Sequence, residues 1–160
     1  MSVDQAVFDG VLLEAAKEVF ETMIFMDIEN ASEPEQTIDE LTLLGSITFT
    51  GTLEGCLSIF CGLPAAKAIA TNMLGIDATD DISEEDICDA IGEVANMVMG
   101  SIKSRVQHGI EKLAVSIPSV VTGRQLESNL CDGENKITVT VNIEDEYTAQ
   151  FSLLYRESEK

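Results

Sequence analysis

Histidine is nearly absent from this sequence, with His108 the single example. A Ser-His-Asp triad, a Cys-His pair and a histidine-based zinc site are therefore poor readings, and a lone histidine beside Gly109 at a helix end reads as structural or solvated. Cysteine is sparse too. Cys56, Cys61, Cys88 and Cys131 form no CxxC pair, which weakens metal and thioredoxin-like readings and fits buried free thiols in a reducing cytoplasm. Basic residues are few: nine Lys and Arg stand against 29 Asp and Glu, a net charge of -20. So acidic a surface repels phosphate backbones and anionic headgroups, so neither nucleic acid nor a membrane is an expected partner. No apolar run nears the ~20 residues that span a bilayer, and the opening "MSVDQAVFDG" lacks the basic start of a secretory signal. A cytoplasmic protein is expected. If it does chemistry, it does so without its own nucleophile or metal.

What is present is ordinary globular material. The 160 residues are 45% apolar and 24% charged, enough for one domain, 1–160, with a real core. Phe8, Leu12, Ala15 and Val19, widened by Val11 and Phe20, recur at helical spacing and predict a helix from Val3 to about Asp27. "NASEPEQT" reads as a loop. "LGSITFTGTLEGCLSIFCG" reads as a β-hairpin turning at "GTLEG". "LPAAKAIATNMLG" is a short helix with Pro64 in its first turn and Gly75 as its C-terminal cap. After an acidic loop, Ser83 and Asp86 look like a capping box opening a helix from about Glu84 to Gln107. "AVSIPSVVTG" is short and strand-like, with Pro118 kept off a central ladder position. Ile137, Val139, Val141 and Ile143 alternate in a second hairpin that turns at "EDE".

The two halves share a plan of long helix followed by hairpin, over about 3–75 and 84–155. "LLEAAKEVF" lies over "IGEVANMVM", matching Glu14 with Glu93 and Lys17 with Asn96, and Leu57-Ser58-Ile59 resembles Phe151-Ser152-Leu153. The expected fold class is α+β, a pseudo-repeat of helix plus β-hairpin units with long helices on an antiparallel sheet.

"DAIGEVANMVMGSIKSRV" is the informative stretch. Ile87, Ile91, Val94, Val98 and Ile102 form one seam of the helix, and Asp89, Glu93, Asn96, Gly100 and Lys103 fall opposite. A solvated face accounts for these polar residues in the plainest way. Two details favour a partner. Asn is a mediocre helix former, and Gly100 costs about 1 kcal/mol relative to Ala in a helix interior. Small residues at Gly92 and Gly100 leave room for another surface, and Glu93 and Asn96 are spaced to reach into one cleft. A carboxamide is neither base nor nucleophile, but it can hold a water. Phosphoryl transfer is a reaction in which positioning of that kind suffices. A carboxylate at Glu93 can clamp a partner's lysine, with the partner supplying the phosphoryl group, lysine and metal.

Asp89-x-x-x-Glu93-x-x-Asn96, followed by Pro118 in "SIPSV", resembles the signature of the CheC/CheX/FliY family, phosphatases of the phosphorylated chemotaxis response regulator CheY. "GTLEGCLSIFCGLPAAKAIATNMLG" and "EEDICDAIGEVANMVMGSIKSRV" support it, and the resemblance runs over about 38–155. CheC-type members typically carry the Glu/Asn pair on two helices. This chain carries it once, with Lys17 where the other Asn would stand, which is similar to CheX. The resemblance implies that Asn96 orients the water attacking the aspartyl phosphate and that Glu93 binds the regulator's lysine. It places Asp89, and on the same face Gly100 and Lys103, at the partner interface. It implies no cofactor of the chain's own, magnesium on the response regulator, and a homodimer. A non-catalytic response-regulator scaffold or sensor of the same fold is the nearest alternative, and a flagellar-switch component a more distant one. A small-molecule module would need a phosphate loop or polar cluster that the sequence does not display. Lys103 or Arg105 would supply a local basic patch against an acidic regulator.

Overall fold

The alternating apolar stretches form two long antiparallel pairs. β2 (Leu41–Thr50) pairs with β3 (Leu53–Gly62), and β6 (Asn135–Ile143) with β7 (Tyr147–Glu157). The computed structural model of the chain describes residues 10–30, 41–51, 53–76, 82–106, 113–124 and 135–157. The "EDE" turn forms as expected, with Glu144 and Asp145 both at φ 55, the positive values that tight hairpin turns with the matching twist require. The first hairpin turns earlier than "GTLEG" suggests. Leu53 is buried and already opposite Glu157, and the next pair, Glu54 and Arg156, is joined by an ion pair at 2.6 Å. The ladder therefore uses residues whose glycine-rich context reads as turn.

β3 pairs with β7 and fuses the hairpins into one sheet. β1 (Ile28–Asn30), a short strand not foreseen in the sequence, lies on β6 at one edge. At the other edge, β4 (Ala114–Val115) and β5 (Ser119–Arg124) share the outer side of β2. The expected single strand is thus split, and Pro118 occupies the gap, where its missing N–H breaks no ladder. Ser58 faces Ser152 across the β3–β7 seam, flanked by Leu57 with Leu153 and Ile59 with Phe151. A two-fold operation about the Ser58–Ser152 pair lays Leu57-Ser58-Ile59 onto Phe151-Ser152-Leu153, the triplets that resemble each other in sequence. The architecture is α+β: helix, hairpin, two helices, hairpin, with the short strands at the sheet edges.

The helices pack on the sheet face that carries Leu43, Ile47, Ile59, Val141, Phe151 and Leu153. α1 (Val11–Val19) runs on into a π-helical turn, Phe20–Ile24, which Phe25 ends in the left-handed region. The helix stops short of Asp27 because Ile28 opens β1. The Val3–Phe8 start of the expected helix, the "NASEPEQT" loop beyond Asn30 and the expected helix end at Gln107 lie outside the described residues. Phe20 meets Phe151 edge to face, centroids 6.2 Å apart, an arrangement favoured by the ring quadrupoles. α2 (Leu63–Leu74) has Pro64 in its first turn and Gly75 at φ 67 as its cap, as expected. α3 (Glu84–Arg105) opens with Ser83 Oγ accepting from the Asp86 N–H at 3.1 Å.

The seam of α3 is fully committed. Ile87, Ile91, Val94, Val98 and Ile102 are all buried, each contributing on the order of 1.5–3 kcal/mol. Ile91 sits over Gly45 of β2. A Cβ at Gly45 would lie 3.0 Å from Ile91 Cγ2 and 3.2 Å from Ile59 Cγ2, so the helix rests on bare strand backbone. We expect Gly45→Val to lower stability by about 1–3 kcal/mol through overpacking, read as a lower urea midpoint. An unchanged midpoint would show that the helix is not seated there.

Candidate functional site

With its seam turned inward, α3 presents Asp89, Glu93, Asn96, Gly100 and Lys103 to solvent, and all five are exposed. The structure thus gathers every predicted site residue onto one helix face. Among the described residues, the side chains of Asp89, Glu93, Asn96 and Lys103 make no hydrogen bond or ion pair. Glu93 and Asn96 have their full hydrogen-bonding capacity available to a partner. Gly100 has open space where its Cβ would be, with nothing within 4 Å. A second surface can come close at that point.

Gly92 does something different from what the sequence suggested. It is buried, and a Cβ there would meet Val120 Cγ2 at 3.5 Å and Pro118 Cβ at 3.6 Å. The room at Gly92 is taken by the chain's own edge strand. Pro118 therefore packs beside the residue preceding Glu93 as well as splitting β4 from β5. The sequence shows only a small residue beside the exposed face, and its packing partner depends on the sheet order.

Arg105 is also committed elsewhere. Its guanidinium donates to Glu14 Oε2 at 3.3 Å and to Glu18 Oε2, and Ser101 Oγ donates to the same Glu18 oxygen at 3.3 Å. These contacts run α1 antiparallel to α3, and they leave Lys103 rather than Arg105 as the available cation on the exposed face. Glu14 is thus joined to α3, while Glu93 has no partner among the described residues. Cys88 lies at the side of the same helix. Burial, then the neighbouring carboxylates of Glu84 and Asp89, push its thiol pKa up, which makes it a poor nucleophile at neutral pH. No cluster of three or more His, Cys, Asp or Glu suited to a metal occurs among the described residues. No helix there is long and apolar enough to cross a membrane.

Residues 43–142 match the family model described as chemotaxis phosphatase CheX. The chain belongs to the CheX family. A CheX from Thermotoga maritima, described as a CheY-P phosphatase, is 27% identical over 113 residues, 70% of this chain and 72% of that protein. The crystal structure of CheX from Vibrio vulnificus superposes with a TM-score of 0.79 at 24% identity, covering 97% of this chain and all of that one. A CheX from Borrelia burgdorferi, solved in complex with CheY, BeF3 and magnesium, gives a TM-score of 0.68 at 17% identity, over 94% of this chain and 98% of that one. The two structures show the shared fold.

The openness of Gly100 carries its own consequence. Gly100→Ala meets no steric obstacle and removes a helix-interior glycine, so it should raise stability by about 0.5–1 kcal/mol. Denaturant unfolding reads this directly, and destabilisation would mean the glycine serves the fold.

Proposed function

We propose that this protein dephosphorylates the aspartyl phosphate of a CheY-type response regulator through the exposed face of α3. The observation that carries the reading is the unpaired Glu93–Asn96 pair beside the open surface at Gly100, in a chain of the CheX family. The Thermotoga relative is described as a phosphatase of this substrate, and the Borrelia relative was solved with CheY.

In this mechanism Asn96 enters the regulator's active site, and its carboxamide oxygen accepts a hydrogen bond from a water, aiming the water's lone pair at phosphorus. The new P–O bond forms to that water as the bond to the aspartyl oxygen breaks, releasing phosphate and a free carboxylate. Asn96 takes no proton. It contributes by fixing the water in line, the entropic part of the barrier. Glu93 pairs with the regulator's lysine and so sets the depth and angle at which Asn96 enters. Magnesium belongs to the regulator, where it neutralises phosphoryl charge. Asp89 and Lys103 border the contact, and Gly100 admits the regulator's backbone. The homodimer implied by the resemblance belongs to the same reading, and sedimentation of the purified protein would test it.

The experiment is phosphate release from phosphorylated cognate CheY with magnesium, using wild type and Asn96→Ala. The variant should lose on the order of a hundredfold or more in rate while keeping its fold and its binding to the regulator. Glu93→Ala should chiefly weaken binding. Acceleration that survives Asn96→Ala would refute the site. Binding without acceleration by wild type would favour a scaffold or sensor. With an acidic regulator, modest salt should raise the rate by screening repulsion, and a sharp fall would show that long-range attraction drives the encounter.

A further inference from the structure

Ile117 is 88% exposed, the highest value for a large hydrophobic residue among those described. Single apolar residues scattered over a surface need no explanation, but the backbone here is built to place this one. Val115 pairs with Phe49, and Ser119 with Ser46. Between those pairs, Ser116, Ile117 and Pro118 stand against only Thr48 and Ile47. Ser116 takes the place opposite Thr48: its N–H donates to the Thr48 carbonyl at 2.9 Å, and its Oγ accepts from the Thr48 N–H at 3.0 Å. The same hydroxyl donates to the Ile117 carbonyl at 3.2 Å. Ile117 and Pro118 are left to share the place opposite Ile47, and Ile117 is the one thrown out to solvent. Such a β-bulge re-aims a side chain and recurs beside active sites.

The bulge lies along the exposed face of α3. Thr122 Oγ1 donates to Glu84 Oε1 at 3.4 Å in the first turn of the helix. Val120 and Pro118 pack at Gly92, where a Cβ would lie 3.5 Å from Val120 Cγ2 and 3.6 Å from Pro118 Cβ. Going back along β5 is therefore going forward along α3, and Ile117 comes next in the direction of Asn96. Asn96 stands one turn beyond Gly92 and about 40° further round the helix axis, and it is exposed. The bulge is held on both sides, by Ser116 on Thr48 and by the Pro118 ring, with its fixed φ, on Gly92.

We infer that Ile117 is the apolar anchor of the regulator-binding surface, seated on an apolar patch that borders the regulator's phosphorylation site. The inference rests on the reading of α3 as the face that meets the regulator. Ile117 touches neither the phosphoryl group nor the attacking water, so it acts on binding alone. An apolar anchor suits the chain's charge. At a net charge of -20, long-range attraction to an acidic regulator is lacking, and apolar burial supplies affinity that salt does not screen. Polar groups at Glu93 and Asn96 then fix register around a contact that excludes water.

The test is phosphate release from phosphorylated cognate CheY with magnesium, over a range of regulator concentrations, by the full chain and three variants. Ile117→Ser should raise KM about tenfold or more while kcat and the thermal midpoint stay at the wild-type values. Ile117→Leu, which keeps the apolar group, should restore a KM near wild type. Val121→Ser is the control. Val121 is exposed on the same strand but opposite Leu44, whose neighbours Leu43 and Gly45 face the helices, so it points to the other side of the sheet; its KM should not change. Where wild type binds without acceleration, the Kd from fluorescence anisotropy reads the same contrast. Wild type that neither binds nor accelerates would sink the phosphatase reading and this inference together. An active wild type with an unaltered KM for Ile117→Ser would sink the inference alone. So would a fall in kcat or in thermal midpoint for that variant, which would give Ile117 a structural role. Self-association of wild type that Ile117→Ser removes would assign the residue to a second copy and overturn the inference as well.

Discussion

The contact of Ile91 with the bare backbone of Gly45 fixes the rotation of α3, and much else follows from it. Side chains on a helix are rigidly phased, so seating one residue determines where all the others point. With Ile91 down on β2, the seam from Ile87 to Ile102 is buried and Glu93, Asn96 and Gly100 face solvent. The close approach also brings the neighbouring turn of α3 against Pro118 and Val120 of the edge strand. Gly45 and Gly92 thus act as a pair: one lets the helix down onto the sheet, the other lets β5 tuck against it. The segment bearing Glu93 is thus held from two sides.

Charge on α3 divides into a part that the helix explains and a part that it does not. Glu84, Glu85 and Asp86 occupy the first turn, and Lys103 and Arg105 the last. That placement complements the helix dipole, whose influence fades beyond the terminal turns. Arg105 also ties α3 to α1 through Glu14 and Glu18, exposed pairs worth at most about 1 kcal/mol each. Glu93 and Asn96 lie mid-helix, beyond the dipole's reach, with no partner among the described residues. Neither capping nor intrahelical pairing accounts for them, which is why a partner surface remains the better explanation.

The elements that could be read from sequence are those whose signals are local. The Ser83 cap, the Gly75 stop, the "EDE" turn and the buried seam of α3 each depend on a few neighbouring residues, and each forms where the pattern indicates. The misread elements depend on distant partners. β1 exists because Ile28 finds Ile143, more than a hundred residues away. Leu53 and Glu54 join the ladder because Glu157 and Arg156 lie opposite. Gly92 looked like room for a ligand and is filled by Pro118 and Val120. The exposed set on α3 was legible because helical periodicity assigns it without tertiary knowledge. Arg105 was not, since its engagement with α1 is a property of helix packing.

The two triplets that resemble each other in sequence sit at one place in the sheet. β3 and β7 meet at Ser58 and Ser152, the centres of the two similar triplets. Sequence overlay then matches Glu14 with Glu93 and Lys17 with Asn96. The two matched glutamates can then be compared. They are treated differently: Glu14 contacts Arg105 of α3 and contributes to helix pairing, whereas Glu93 is unpaired beside an amide and an open glycine surface. The half whose carboxylate contacts the neighbouring helix has a lysine at the amide position, which can donate to a water but cannot accept from it. The half that retains the amide leaves its carboxylate unpaired. The contrast leaves the Glu93 carboxylate, and not that of Glu14, open to a partner.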